Sequence, residues 1–288
     1  NSIRVTHNPA AQDLIDACNE QGILVVEEAF DTWIKPKNGN SNDYSVWFNQ
    51  TVASDNEILG ATDGETWAQF DLESMISRDY NAPSVIMWSL GNEVMEGISG
   101  GTDAEYEATA TKLINWAYDA DNTRPMTIGD NKLKADWQIS KTFANLLAAK
   151  GGTVGFNYAD GGVLDKYHSS NSNWFIYGSE TASAVNSRGI YYRTTGGSQT
   201  SDKQLTSYDN SAVGWGATAS NAWYTVLTRD FAAGEYVWTG FDYLGEPTPW
   251  NGIGSGAVGS WPSPKNSYFG IIDTAGFAKD SYYFYQSQ

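Results

Sequence analysis

Short apolar runs separated by amphipathic stretches form the most regular pattern along this chain. The runs are rich in Val, Ile and aromatic residues and are mostly apolar throughout, as in strands that are buried on both faces. Most of them end in polar or acidic residues. They predict strands at residues 1–7, 23–26, 84–90, 125–128, 153–158, 174–180 and 236–238.

The stretches between these runs carry apolar residues at helical spacing. In the first of them, Asn8 is the predicted N-cap, Pro9 the first helical residue and Gly22 the C′ glycine. Further helices are predicted at residues 67–80, 102–121, 139–150 and 221–233. Three irregular stretches have no sustained period and are predicted loops, at residues 34–66, 185–220 and 243–267.

Buried strands that alternate with helices predict parallel βα units and an α/β fold. The best fit is a TIM (β/α)8 barrel that lacks its first strand–helix unit, because only seven strands are visible. An open doubly wound sheet is the alternative, although no glycine-rich phosphate motif follows any of the strands. No composition shift marks a boundary, so residues 1–288 are predicted to form one domain.

Composition narrows the range of partners. The formal net charge of −17 disfavours nucleic acid and anionic membrane surfaces. No apolar run approaches the roughly 20 residues of a membrane-spanning helix, so membrane insertion is not expected. The chain has 12 Trp, 17 Tyr and 11 Phe. These aromatic residues suit either a carbohydrate-binding cleft, where sugar rings stack on them, or an aromatic-rich core.

Few residues are available for metal or nucleophile chemistry. The only histidines are His7 and His168, and the lone cysteine, Cys18, lies on a predicted apolar helix face. No G-x-S-x-G elbow occurs. No metal and no cofactor are therefore predicted, and the acidic residues are left as the candidates for catalysis.

Two glutamates follow buried strands and are the candidate catalytic pair. Glu93 comes after Gly91-Asn92, and Glu180 ends the run at 174–180. A reaction that needs two carboxylates and aromatic walls but no cofactor is glycoside hydrolysis, in which one carboxyl protonates the leaving oxygen and the other attacks or activates water. Taken singly, either residue is more often a helix cap or a solvated loop residue.

Five segments in order resemble the barrel domain of glycoside hydrolase family 2, and together they cover nearly the whole chain. They are residues 3–9, 26–31, 84–93, 175–181 and 235–247. The closing part is most similar to multidomain bacterial β-galactosidases. The resemblance implies a retaining β-galactosidase that forms a covalent galactosyl-enzyme, with Glu93 as general acid/base and Glu180 as nucleophile. In such a pair the two carboxyl groups lie roughly 5–5.5 Å apart.

The resemblance also assigns binding roles. Tyr158 matches the tyrosine near the nucleophile, Asn92 would hold the sugar 2-hydroxyl, and His7 would face the sugar. Asp130 would bind galactose hydroxyls, and Trp238 would be the stacking floor, although His7 and Trp238 could instead be structural. Glu28 is expected to support the site without touching sugar. The remaining candidates for the pocket wall are Asp31, Trp33, Asp242, Glu246 and Trp250.

Several alternatives stay open at this stage. The same machinery could act on β-glucuronides or β-mannosides, or the chain could be a non-catalytic carbohydrate-binding fragment. The family carries β-sandwich domains before the barrel, so the chain is expected to be a fragment whose partners are a β-galactoside or oligosaccharide and the missing domains of its parent chain. Without them, weak or no activity is expected. The resemblance also implies an extracellular or cell-surface bacterial location and possible transfer to sugar acceptors.

Overall fold

The structure of the protein is a computed structural model. It describes residues 1–37, 40, 42–52, 60–96, 101–196, 204–243 and 267–288.

One sheet of seven strands, in the order β1-β2-β3-β4-β5-β6-β7, organises the described chain. The register between neighbours is parallel from β1 through β5. The strands are β1 Ser2–Val5, β2 Leu24–Glu28, β3 Val85–Asn92, β4 Met126–Asp130, β5 Thr153–Asn157, β6 Phe175–Ala182 and β7 Ala232–Trp238. Because strands that follow each other in sequence are neighbours in the sheet, each connection is a simple crossover, as in parallel βα folds.

Helices lie between the strands along the chain, and one more follows the last strand. They are α1 Gln12–Gln21, α2 Ser45–Phe48, α3 Trp67–Asp79, α4 Asp103–Ala120, α5 Gln138–Ala149, α6 Gly161–Ser170, α7 Ala219–Leu227 and α8 Asp280–Gln286. The longest, α4, begins with a capping box in which Thr102 and Glu105 satisfy each other's backbone N–H groups. The order of strands and helices confirms the predicted TIM barrel class with one strand–helix unit fewer than eight.

The chain forms two compact units. Unit 1 consists of Asn1–Asn157 and Asp165–Tyr177, and unit 2 consists of Tyr158–Leu164 and Gly178–Gln288. Strand β6 and helix α6 each contribute residues to both units.

The core of unit 1 lies between strands β1–β4 and helices α1, α3, α4 and α5. Val25 and Val26 are fully buried in neighbouring positions of β2, as expected when both faces of a strand are covered. Cys18, on α1, is 2% exposed and part of this core, which agrees with its predicted place on an apolar helix face. Unit 2 has a smaller cluster built on Val185, Leu205, Val213 and Phe269.

The helices differ from the sequence prediction at several ends. Helix α1 begins at Gln12 with Ala11 as N-cap, so Asn8 and Pro9 lie outside it. The reason is that the backbone N–H of Ala10 donates to Glu27 Oε1 at 3.1 Å, which holds this segment against β2. The predicted C′ glycine is confirmed, because Gly22 adopts a left-handed φ of 67°.

Two other differences lie further along the chain. Residues 159–173, which show no clear period, contain helix α6. Helix α7 ends at Leu227, several residues before the predicted end, and β7 already begins at Ala232. In the part of the chain that the structure describes, no helix is long and apolar enough to cross a membrane.

Candidate active site

Polar side chains gather in unit 1 at the carboxyl ends of the strands, where barrel enzymes place their catalytic groups. Strand β3 ends at Asn92, and Glu93 follows it with a φ of 45°, in the left-handed region. The Glu93 backbone N–H donates to the carbonyl of Gly129 at 2.7 Å. A non-glycine residue in this conformation is strained, and such residues cluster at functional sites.

The side chain of Asn92 is held from three directions. Its Oδ1 accepts from Arg4 Nη2 at 2.9 Å and from Asn157 Nδ2 at 3.0 Å. Its Nδ2 lies 3.5 Å from Asp31 Oδ1. Because Oδ1 is occupied by two donors, the NH2 group of Asn92 is the part of the amide that can turn to a ligand. Asn157 Nδ2 also donates to Glu93 Oε1, at 2.9 Å.

A buried ion pair supports this network. Glu28 is completely buried and accepts from Arg4 Nη2 at 2.6 Å and from Ser89 Oγ at 2.6 Å. His7 Nδ1 lies 2.6 Å from the other oxygen of Glu28, which fixes the orientation of the imidazole ring. Burial alone would raise the pKa of Glu28, but the Arg4 charge and the hydrogen bonds from His7 and Ser89 lower it to about 2. Glu28 therefore holds Arg4 and His7 in place beside the candidate site.

Asp31 lies beside Asn92 and is one of the more exposed acids here, with 43% of its side chain accessible. Lys37 Nζ donates to Asp31 Oδ1 at 2.6 Å and to the backbone carbonyl of Asn92 at 2.9 Å. Asp31 also lines a cavity of about 510 Å³. The other residues around this cavity include aromatic, acidic and basic side chains: Asn8, Pro9, Ala29, Phe30, Thr32, Asp43, Tyr44, Asp71, Ser74, Met75 and Arg78.

Asp130 is the last residue of β4 and is only 7% exposed. Its Oδ1 accepts from the backbone N–H groups of Lys132 and Leu133, both at 2.6 Å. Burial raises the pKa of Asp130 despite these donors. In the structure, Asp130 therefore stabilises the turn after β4. Its contact with galactose stays a prediction.

The second candidate carboxylate, Glu180, lies in unit 2 and is 7% exposed. Tyr158 donates its hydroxyl hydrogen to Glu180 Oε1 at 2.7 Å, and the Tyr158 backbone N–H donates to the Glu180 carbonyl at 2.8 Å. The Tyr158 hydroxyl also lies 2.8 Å from Ser183 Oγ. Tyr158 therefore holds both the side chain and the backbone of Glu180 in place.

Trp238, the last residue of β7, belongs to the same unit. Its backbone carbonyl accepts from Ser183 N at 3.3 Å, and its indole N–H donates to the Tyr243 hydroxyl at 3.2 Å. The Trp238 and Tyr243 rings meet edge to face, with their centroids 5.9 Å apart. The structure thus brings Trp238, Ser183, Tyr158 and Glu180 together in one hydrogen-bonded chain.

Two of the predicted pocket residues have other surroundings. Trp33 is completely buried in the core of unit 1, and its indole N–H donates to the Leu90 carbonyl at 2.8 Å. Asp242 is 6% exposed and forms a buried ion pair with Lys279 at 2.7 Å, while its other oxygen accepts from Gly270 N. Neither side chain therefore lies on a solvent-facing wall, because each is used inside its own unit.

Glu246 and Trp250 lie outside the described residues.

The sequence prediction missed several residues that hold the candidates in place, above all Arg4, Asn157 and Ser183. Arg4 had a usable signal, because a charged residue between Ile3 and Val5 in a strand pattern needs a partner. Asn157 also had one, as a polar residue that ends a buried strand. Among the described residues, no group of three or more His, Cys, Asp or Glu side chains is placed to hold a metal ion.

Comparisons with known proteins give a consistent result. Residues 1–271 match the family model described as glycosyl hydrolases family 2, TIM barrel domain. The chain is 34% identical to the β-galactosidase BoGH2A of Bacteroides ovatus over an alignment of 329 positions, which covers 100% of this chain and 34% of that protein. It is 27% identical to a putative β-glucuronidase of Formosa agariphila, covering 100% of this chain and 25% of the relative.

Among solved structures, a β-glycosidase from Bacteroides vulgatus superposes with a TM-score of 0.72 at 27% identity, covering 100% of this chain and 34% of that one. The chain spans between a quarter and about a third of the length of these relatives. The match to the family model nevertheless covers nearly the whole of this chain. The chain therefore belongs to glycoside hydrolase family 2, as a TIM barrel domain of that family.

Proposed function

We propose that this chain carries the catalytic centre of a retaining β-galactosidase that acts on terminal β-galactosides of the lactose type. In the first step Glu180 attacks the anomeric carbon while the glycosidic bond breaks and Glu93 gives its proton to the departing oxygen. In the second step Glu93 takes a proton from water, which attacks the anomeric carbon and releases Glu180 as a carboxylate. Two inversions at the same carbon retain the anomeric configuration.

The choice of a neutral sugar rests on one observation: three basic side chains around the candidate site in unit 1 are each paired with a carboxylate. Arg4 is paired with Glu28, Lys37 with Asp31 and Lys132 with Glu96. A uronic acid substrate needs a cation for its carboxylate. To use one of these three cations, the substrate would have to displace the protein carboxylate that is already paired with it. A galactoside has hydroxyl groups instead, which suit the amide of Asn92 and the carboxylate of Asp31. The alignment of the whole of this chain with part of a β-galactosidase supports the same choice.

A β-glucuronidase is the second candidate, because the putative enzyme of that class from Formosa agariphila aligns with the whole chain. The two candidates differ in a simple assay. We expect kcat/KM for an aryl β-galactoside to exceed that for the matching β-glucuronide and β-mannoside by at least about tenfold. A preference for the glucuronide would overturn the galactoside assignment and leave the hydrolytic mechanism in place.

The mechanism is tested with Glu180→Gln and Glu93→Gln, and with Glu107→Gln as a control on the exposed face of α4. Wild-type protein should release the β-anomer first, as followed by NMR, and Glu180→Gln should abolish turnover. The control should behave as wild type. Release of the α-anomer, or turnover in Glu180→Gln, would refute the assigned roles. Sugar binding that persists in both active-site variants, without hydrolysis in the parent, would favour a non-catalytic binding fragment.

We further propose that segments found in the longer relatives take part in the reaction, because this chain spans only about a third of BoGH2A. The assays should therefore compare the 288-residue chain alone with the same chain joined to the segments that flank this domain in BoGH2A. Equal turnover by both would contradict this part of the proposal. We also propose transfer to added sugar acceptors, which product analysis tests, and an extracellular or cell-surface location, which cell fractionation tests.

A further inference from the structure

The side chain of Asn157 contacts Glu93 directly. Asn157 is the last residue of β5 and is completely buried. One oxygen of Glu93 and the Oδ1 of Asn92 both lie within hydrogen-bond distance of its Nδ2, at 2.9 Å and 3.0 Å. The buried amide of Asn157 therefore links Asn92 to Glu93, the candidate acid/base.

The orientation of these amides follows from the donors available. The Arg4 guanidinium has only donors, so the Asn92 atom that it meets at 2.9 Å must be Oδ1. That oxygen can only accept, so the Asn157 atom that meets it must be the NH2 group. An NH2 group has two hydrogens, and its second acceptor is Glu93 Oε1. The chain of contacts from Arg4 thus fixes the face that Asn157 presents to Glu93.

The contact between β3 and β5 is possible because of the strand between them. Asn92 and Asn157 end strands that flank β4. Gly129 of β4 is paired with Asn92 in the register and with Gly155 on the other side, and the side chain of Asn157 reaches the space above it. A Cβ at Gly129 would lie 3.0 Å from Asn92 Oδ1, 3.2 Å from Asn157 Oδ1 and 2.8 Å from Arg4 Nη2. Any side chain at this position would therefore push the two amides apart, and glycine leaves the space in which they meet.

The hydrogen bond from Asn157 acts on one oxygen of Glu93. Oε1 accepts an N–H, which favours negative charge on that atom. The same N–H stabilises the ionised Glu93 that a general base needs in the second half of a retaining reaction.

We propose that Asn157 is a positioning residue for the general acid/base: it holds Glu93 by Oε1 and stabilises the ionised state between the two steps. This inference rests on the proposed role of Glu93. Asn157 acts through Glu93 and the inference assigns it no contact with the sugar.

The test uses Asn157→Asp and Asn157→Ala, with Asn145→Ala as the matched control. Asn157→Asp keeps the size of the side chain but replaces the N–H donor with a carboxylate, whereas Asn157→Ala removes the donor without adding a charge. An effect that both variants share therefore reports the lost hydrogen bond. Asn145 is an exposed residue of α5 that accepts a hydrogen bond from Trp174 Nε1 at 3.2 Å, away from the strand ends. Thermal unfolding of all three variants checks that each one is folded.

The first readout is kcat/KM for aryl β-galactosides with different leaving groups, since this ratio reports the glycosylation step. A dinitrophenyl leaving group departs without a proton, whereas a phenyl group needs general acid catalysis, which contributes about 10²–10⁴-fold. We expect both Asn157 variants to lose at least about tenfold on the phenyl substrate and less than about threefold on the dinitrophenyl substrate. An equal loss on both substrates would mean a general structural role and would overturn the proposal.

The second readout is the pH profile of kcat/KM, whose alkaline limb reports loss of the Glu93 proton. Removing the Asn157 donor destabilises ionised Glu93, so the limb should move to higher pH by about one unit. Asn145→Ala should leave the limb in place. An alkaline limb that stays put in Asn157→Asp would overturn the proposal.

If the wild-type protein hydrolyses no aryl glycoside, the proposed function fails, but this inference can still be decided. The Glu93 carboxyl can be titrated directly by carbon NMR, with its signal assigned from Glu93→Gln. Asn157→Ala should again shift this titration to higher pH, because it removes the donor without adding a charge. An unchanged titration would refute the positioning role whatever reaction the protein catalyses.

Discussion

Glu28→Gln removes one negative charge from the most enclosed ion pair of unit 1 and should destabilise the fold strongly. The wild-type carboxylate is completely buried and receives Arg4 at 2.6 Å and Ser89 at 2.6 Å, with His7 Nδ1 also 2.6 Å away. Glutamine has nearly the same shape, so the change leaves little cavity. It removes the carboxylate that the Arg4 guanidinium, which is 2% exposed, meets at 2.6 Å.

The magnitude follows from the cost of removing one partner of a buried ion pair. Breaking a buried pair by removing one partner costs about 3–5 kcal/mol. For a chain of this size each kcal/mol lowers Tm by about 2–4 °C, so the expected loss is about 6–20 °C. Since domains are stable by only about 5–15 kcal/mol, the variant should remain folded at low temperature but with a small margin.

The assay is thermal unfolding at pH 7, followed by calorimetry and by tryptophan fluorescence. Glu107→Gln is the control, because it makes the same chemical change on the exposed face of α4. We expect a Tm within about 2 °C of wild type for this control, as for most surface substitutions.

A pH series tests the physical cause. Burial opposes ionisation of Glu28, but Arg4, His7 and Ser89 lower its pKa to about 2. A lowered pKa contributes stability above the unfolded value of about 4.3, and this contribution is lost as the pH falls through about 2. The Tm difference between wild type and Glu28→Gln should therefore be full at pH 6–7 and shrink toward pH 2. A difference that stays constant over this range, or a neutral-pH loss as small as that of the control, would refute the reasoning.

Three further predictions concern single side chains. Tyr158→Phe removes a charge-assisted hydrogen bond from Glu180, so kcat for aryl β-galactosides should fall about 10–100-fold with little change in KM, as steady-state kinetics would show. Burial and the nearby Asp79 charge raise the pKa of Glu27 to about 8; its contribution to stability is full below the unfolded value of about 4.3 and is lost as the pH rises through about 8. Tm measured from pH 5 to 9.5 should therefore decline less in Glu27→Gln than in wild type. Lys279→Met should destabilise unit 2 by about 3–5 kcal/mol, because Lys279 is the ionic partner of a buried aspartate, and hydrogen exchange in residues 204–243 should increase.

The elements of the fold could be predicted well because the buried strands are apolar throughout and the helices keep their period. The prediction was weakest where a tertiary contact decides an end. The Asn8-Pro9 start is locally favourable for a helix, yet a hydrogen bond from Ala10 to Glu27 moves the start of α1 to Gln12. Helix α6 was missed because Gly161-Gly162 opens it and its residues are mostly polar, which is typical of a loop.

The candidate site shows the same division. Glu93 and Glu180 could be found because each follows an apolar strand, and Asn92 because it precedes Glu93. Trp33 could not be separated from a pocket residue by sequence, since an aromatic ring after a strand suits either a cleft or a core. Only its complete burial and the contact of its indole with the Leu90 carbonyl distinguish the two.

The support for Glu93 lies beyond sequence reasoning for a geometric reason. Neighbouring strands are about 4.8 Å apart, so side chains on β3 and β5 are separated by twice that distance and normally by a side chain from β4. Here Gly129 leaves that position empty, and Asn157 reaches both Asn92 and Glu93 across it. A glycine in a strand is usually interpreted as a bulge or a weak point. In this strand it allows two asparagines to connect Arg4 to the candidate acid. The connection depends on side chains from β1, β3 and β5 and on the glycine of β4, which come together only in the folded sheet.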